Sequence, residues 1–215
     1  MDSWITGRPA LHVLGAGVGR ERADGVLVHT SAEVGAALSS SFPPDRIFYC
    51  APFDSGVSRV QNSCRFVAGS LEDLRYLDDA AGQTGADGVF RTGLRLQAPE
   101  LPRVENAILP DELARYAREI RLLRHLTVRG CFFCGDLTAV HGKMLGRFFR
   151  SGYETAKRMT VTLPCAMPYL CFENAVAAIE ENIERHPETT DDCFRALDIM
   201  TMQNETAFYA KLYLS

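Results

Sequence analysis

Residues 88–97 (GVFRTGLRLQ), 111–126 (DELARYAREIRLLRHL) and 127–134 (TVRGCFFC) read as a strand, a helix and a second strand in succession. The flanking pieces are short and strand-like. In the middle piece Leu113, Tyr116, Ala117, Ile120 and Leu123 recur on one helical face. A strand, a crossover helix and another strand form a right-handed βαβ unit with parallel strands. The alternation continues in both directions. Upstream, residues 10–14, 25–29, 46–51 and 65–68 predict strands. Residues 31–39 and 71–81 predict helices, the second N-capped by Ser70 with Asp73 three residues on. Downstream, residues 141–159 and 172–186 predict long helices and residues 194–200 a seventh strand. Strands and helices in this alternation predict an α/β fold. Seven such strands favour a shortened or incomplete (β/α)8 TIM-type barrel over an open doubly wound sheet. No linker composition interrupts the chain, so residues 1–215 read as a single domain.

Composition narrows the function. At 47% hydrophobic and 23% charged residues the chain suits a soluble globular domain, and no apolar run approaches a membrane span. A net charge of -4 argues against a partner with a phosphate backbone, so nucleic acid is not expected. The first residues lack the basic-then-apolar layout of a signal peptide, and seven cysteines without framework spacing suit reduced thiols, which together imply a cytoplasmic location.

Two motifs invite chemistry and do not sustain it. Gly15-Ala16-Gly17-Val18-Gly19 follows a strand, but the next strand begins too soon for the helix that a dinucleotide fingerprint requires, so a loop is expected. Cys131-Phe132-Phe133-Cys134 is a C-x-x-C within a strand, where positions i and i+3 point to opposite faces and the thiols diverge. No second pair of ligands follows, so no metal is expected. His12, His29, His125, His141 and His186 form no spaced set with a nucleophile. Of 23 basic side chains only Lys143, Lys157 and Lys211 are lysines, so no side-chain amine precedes residue 143.

Taken in order, residues 42–58 (FPPDRIFYCAPFDSGVS), 69–77 (GSLEDLRYL), 93–100 (GLRLQAPE), 130–136 (GCFFCGD) and 197–199 (LDI) resemble the barrel of fold-type III pyridoxal-phosphate decarboxylases. These are the ornithine, diaminopimelate and carboxynorspermidine decarboxylases, lyases of amino-acid and polyamine biosynthesis related to alanine racemase. The resemblance covers roughly residues 8–200. It implies a barrel whose first strand ends in the lysine that forms an imine with the cofactor. His12 stands at that position, and imidazole cannot form the imine. The ring-stacking histidine of the family falls at Phe133. Its phosphate-binding serine falls, after Gly135, at Asp136, whose carboxylate repels a phosphate dianion. The phosphate-cradling glycine run is Met200-Thr201-Met202, and neither the eighth strand nor the C-terminal β-domain has a counterpart. Arg95, Gly135 and Glu33 persist. With Phe133 and Asp136, Arg95 and Gly135 are the degenerate equivalents of a cofactor site.

The resemblance therefore implies a pseudoenzyme, a decarboxylase-like barrel without covalent cofactor that acts as a binding or regulatory module. It would be a homo- or hetero-oligomer, with an active paralogue as one candidate partner and residues 207–214 (AFYAKLYL) as the candidate contact. The alternative is an active decarboxylase or racemase on a small cationic amino acid, with pyridoxal phosphate bound without the usual lysine or reached by Lys143 or Lys157. Both lysines follow the sixth strand on a helix and are expected to be solvated. A third reading makes His12, Arg95, Cys134 and Asp136 a pocket for another ligand at the barrel mouth.

Overall fold

The computed structural model describes residues 10–13, 26–84, 89–138, 140–163, 169–173 and 175–189. Seven strands, all parallel, form one sheet: β1 (Ala10–Val13), β2 (Val26–Val28), β3 (Ile47–Cys50), β4 (Arg65–Ala68), β5 (Phe90–Gln97), β6 (Leu126–Cys134) and β7 (Tyr169–Phe172). Their spatial order is β1-β7-β6-β5-β4-β3-β2. From β2 to β7 each strand is laid beside its predecessor in one direction. A doubly wound sheet would reverse direction midway and put helices on both faces. Here β1 joins β7, as the first strand of a closing barrel joins the last one present. Among the described residues β1 and β2 share no ladder, so the sheet is a curled, incomplete (β/α) barrel.

The helices are α1 (Ser31–Ser39), α2 (Val57–Val60), α3 (Leu71–Gln83), α4 (Leu113–Ile120), α5 (Gly142–Thr162) and α6 (Ala175–Arg185). Each starts for a local reason where a cap is available. Thr30 Oγ1 accepts from Glu33 N–H while the Glu33 carboxylate accepts from Thr30 N–H, a reciprocal box that fixes the start of α1. Ser70 Oγ accepts from Asp73 N–H at the start of α3, and the Asp73 carboxylate reaches back to Gly69 N–H.

Strand alternation divides the interior in two. Ile47, Tyr49, Phe66, Ala68, Leu94, Leu96, Cys131, Phe133, Leu170 and Phe172 face the helices and join the large core. The residues between them, Phe48, Cys50, Val67, Phe132 and Cys171, form a second cluster on the concave side. The two layers explain why these strands are apolar at nearly every position, with β3 and β4 buried throughout.

Two expectations change, and others fall outside the described residues. The helix expected over 111–126 is a 3-10 turn at Pro110–Glu112 and a shorter α4 that stops at Ile120, because Leu126 already belongs to β6. The helix expected from Phe172 begins at Ala175, and Phe172 closes β7. Phe172 lies in helical register with Ala175 and Ile179, and a four-residue apolar run is ambiguous by periodicity alone. The strand expected over 194–200, the glycine loop at 15–19 and the proposed contact over 207–214 lie outside the described residues.

Candidate functional site

The C-terminal ends of parallel strands share one rim, where barrels of this type carry their sites. Arg95 of β5 faces the concave side, in register with Phe132 of β6, which is in register with Cys171 of β7. Its Nη2 and Nε donate to the two carboxylate oxygens of Glu173 at 2.8 and 3.0 Å, a bidentate fork. Nη1 donates to the carbonyls of Glu105 at 2.8 Å and Asn106 at 3.4 Å. All three guanidinium nitrogens are thus engaged. Both side chains are nearly buried, Arg95 at 13% and Glu173 at 12% exposed. Burial works most strongly against the Arg95 charge, but the Glu173 carboxylate together with the Cys134 and Cys50 thiols carries the guanidinium above its ordinary range.

Glu173 follows β7 directly, and its own N–H donates to the Phe133 carbonyl at 3.0 Å. Sequence reasoning missed it because a helix starting at Phe172 would put it on a solvated first turn. Its legible signal was an acidic residue straight after the short apolar run Tyr169-Leu170-Cys171-Phe172.

Thiols surround the pair. Burial pushes Cys50 well up, with Glu173 adding to the shift and Arg95 opposing it. Burial also raises Cys134 to about 12, again with Arg95 lowering and Glu173 raising it. Cys134 Sγ donates weakly to the Leu96 carbonyl at 3.4 Å. Cys131, also raised by burial, belongs to the helix-side core, so the C-x-x-C thiols diverge as the strand period requires. Among the described residues no three His, Cys, Asp or Glu side chains converge as a metal would need.

The connection from β5 to α4 folds back over this rim. Ala98 N–H donates to the Cys134 carbonyl, and Ile108 bridges to Leu96 beside β5. Gln97 pins the span from within: its Nε2 donates to the carbonyls of Ala98 and Pro102, and its Oε1 accepts from Val104 N–H. Two glycines seat the connection. A Cβ on Gly69, after β4, would meet the Asn106 carbonyl oxygen at 1.8 Å, and one on Gly135, after β6, would meet Leu101 Cδ1 at 2.5 Å. Asn106 adopts φ 53° at this crossing, a conformation asparagine tolerates better than most residues.

The remaining sequence candidates are not brought together. His12 of β1 is in register with Cys171, on the far side of β7 from Phe132. Phe133 does not face the mouth: its ring packs 5.3 Å from Phe148 and 6.2 Å from Phe172, between sheet and α5. The inward ring is that of Phe132, 5.8 Å from Phe48. Asp136 is exposed, and hydrogen bonds from the Thr138 hydroxyl and N–H hold its carboxyl below the usual range. Glu33 is spent on the α1 cap. Lys143 and Lys157 lie exposed on α5, Lys157 reaching Glu154 at 3.5 Å. Lys211 lies outside the described residues. Elsewhere on the rim, the Asp54 carboxylate accepts from Ser31 N–H at 2.8 Å and Gly56 N–H at 2.7 Å, tying two loops together, and the Ser31 bond is the main reason its carboxyl is lowered.

No protein-family model and no curated protein matches the chain. Solved structures do. The arginine decarboxylase of Paramecium bursaria Chlorella virus bound to agmatine is 14% identical, with a TM-score of 0.57 over 85% of this chain and 55% of that one. Diaminopimelate decarboxylase from Helicobacter pylori complexed with L-lysine is 12% identical, with a TM-score of 0.54 over 80% of this chain and 59% of that one. An SrLDC mutant in complex with PLP is 12% identical, with a TM-score of 0.51 over 87% of this chain and 56% of that one. The fold is therefore that of the decarboxylase-type barrel. The chain spans a little over half the length of these structures. Among the described residues no helix is long and apolar enough to cross a membrane.

Proposed function

We propose that this decarboxylase-like barrel carries no covalently bound pyridoxal phosphate and serves as a binding or regulatory module. The supporting observation is the state of the rim. Arg95 is consumed by Glu173 and two backbone carbonyls, and Asp136, bonded to Thr138, stands where the family resemblance expects a phosphate-binding serine and offers a carboxylate that would repel a phosphate dianion. His12, not an amine, occupies the position at which the family resemblance expects the lysine, and Lys143 and Lys157 are exposed on the outer helix layer. Phe133, packed against α5, offers no face to a pyridine ring in the mouth. These residues do not fit the cofactor.

Two further elements of the reading concern context. Among the described residues strand β2 is an edge of the sheet, and unpaired edges are normally covered, which supports an oligomer with a copy or an active paralogue. Five described cysteines are free thiols, which supports a reducing, cytoplasmic setting.

The test is incubation of the purified protein with pyridoxal phosphate, followed by borohydride and peptide mapping. The expected result is no stable Schiff-base absorbance and no reduced adduct at an internal lysine. An adduct on Lys143, Lys157 or Lys211, together with carbon dioxide release from lysine, ornithine, diaminopimelate or carboxynorspermidine, would instead establish the active decarboxylase.

A further inference from the structure

We infer that Glu173 is the internal occupant of an anion site on Arg95, and that residues 98–109 are a strap latched over that site. Arg95 presents its fork to a carboxylate in the geometry it would use for an external oxyanion, in a nearly buried setting where such a bond is strong. The same guanidinium holds the strap through the carbonyls of Glu105 and Asn106. One cation therefore joins β5, the strap and the end of β7. Glu173 is itself tied to β6 through the Phe133 carbonyl, so the latch spans three adjacent strand ends.

The strap is built to lift as a unit. It is seated on Gly69 through the Asn106 backbone and on Gly135 through the Leu101 side chain, and it bonds back to β5 at its middle and end, through Gln97 Oε1 to Val104 N–H and through the Arg95 carbonyl to Ile108 N–H. When the Glu173 charge is removed, Arg95 is left as a buried cation with only neutral acceptors. The remedy is to open the strap and admit a small oxyanion, or water, to the guanidinium. The ligand class is thus a carboxylate or phosphate small enough to replace one carboxyl group. This inference stands apart from the proposed function: a lysine adduct would refute that reading while leaving the strap's behaviour to be measured.

The experiment is amide hydrogen exchange on the full chain, followed at Val104 and Ile108, with inorganic phosphate as the probe. In the native protein both amides are expected to be protected and indifferent to phosphate. In Glu173→Gln they should exchange about a hundredfold faster, while amides in the β4–β5 and β5–β6 ladders keep their rates, and phosphate should restore protection. Should Glu173→Gln fail to fold, Arg95→Met/Glu173→Met removes both charges and keeps the volume. There the strap should loosen equally and phosphate should have no effect. Unchanged protection of Val104 and Ile108 in either folded variant would overturn the latch. Phosphate protection of the double variant equal to that of Glu173→Gln would overturn the anion site on Arg95.

Discussion

Gly152 and Gly35 offer one substitution with opposite signs. Both sit inside helices, α5 and α1, and in both alanine should gain about 1 kcal/mol of intrinsic helix preference. At Gly35 an added Cβ meets nothing within 4 Å, so Gly35→Ala should realise that gain. At Gly152 the Cβ would lie 2.4 Å from Phe172 Cε1 and 2.8 Å from Phe133 Cδ1. Neither ring can yield. Phe172 is held by Phe149 at 5.0 Å and Phe148 at 5.5 Å, Phe133 by Phe148 at 5.3 Å, and all are fully buried. Because the helix term is common to both variants, their difference is the cost of overpacking alone. With two contacts below 3.0 Å that cost belongs near the top of its usual range, about 2–3 kcal/mol. Gly152→Ala should therefore be less stable than the parent by about 1–2 kcal/mol, and Gly35→Ala more stable by about 1 kcal/mol. Urea unfolding followed by circular dichroism measures both, and thermal midpoints should separate by several degrees. Equal stabilisation in the two variants would refute the close seating of α5 on β6 and β7.

Gly69→Ala should be costly for a different reason. The clashing atom is the backbone oxygen of Asn106 at 1.8 Å, so relief requires moving the strap, and a loss of about 3 kcal/mol is expected in the same unfolding assay. Asp54→Asn should cost about 1–2 kcal/mol at neutral pH by weakening the acceptor for Ser31 and Gly56 N–H. Because the folded Asp54 carboxyl is lowered from 3.8, its contribution is present above that value and lost as pH falls below it. The variant's stability should therefore vary less with pH on the acid side. Tyr49, Cys64 and Cys134 shift the other way, to about 12 from 10, 9 and 9, chiefly through burial. Their protonated forms favour the folded state, so stability should fall as pH rises from about 9 towards 12, and urea titrations of Cys64→Ala should show a shallower fall. For the same reason Cys50, Cys131 and Cys134 should resist alkylation at neutral pH until the chain unfolds, as peptide mapping after iodoacetamide would reveal.

Much of the barrel was legible from periodicity. The short runs at 47–50 and 65–68 were readable as strands because they are buried on both faces, and 90–97 because Phe90, Leu94 and Leu96 share one face. The helix at 31–39 was readable because Val34, Ala37 and Leu38 fall on one face, and the Thr30–Glu33 box fixes its start in the structure. The divergence of Cys131 and Cys134 followed from the two-residue period of a strand. These are local properties: they depend on neighbours within a few positions, which a linear string displays.

What required the folded chain was everything joining distant positions. The short run at 169–172 suits strand or helix equally, and only its ladders to β1 and β6 decide for strand. That decision brings Glu173 to Arg95, 78 residues away, and turns a residue expected to serve a cofactor into one satisfied by the protein itself. The side of the sheet on which Phe133 falls was likewise open until register set Phe132 inward. A strand's period relates its residues to one another but not to the barrel axis; the axis exists only once the strands have paired, and with it the distinction between a ring in the core and a ring in the mouth.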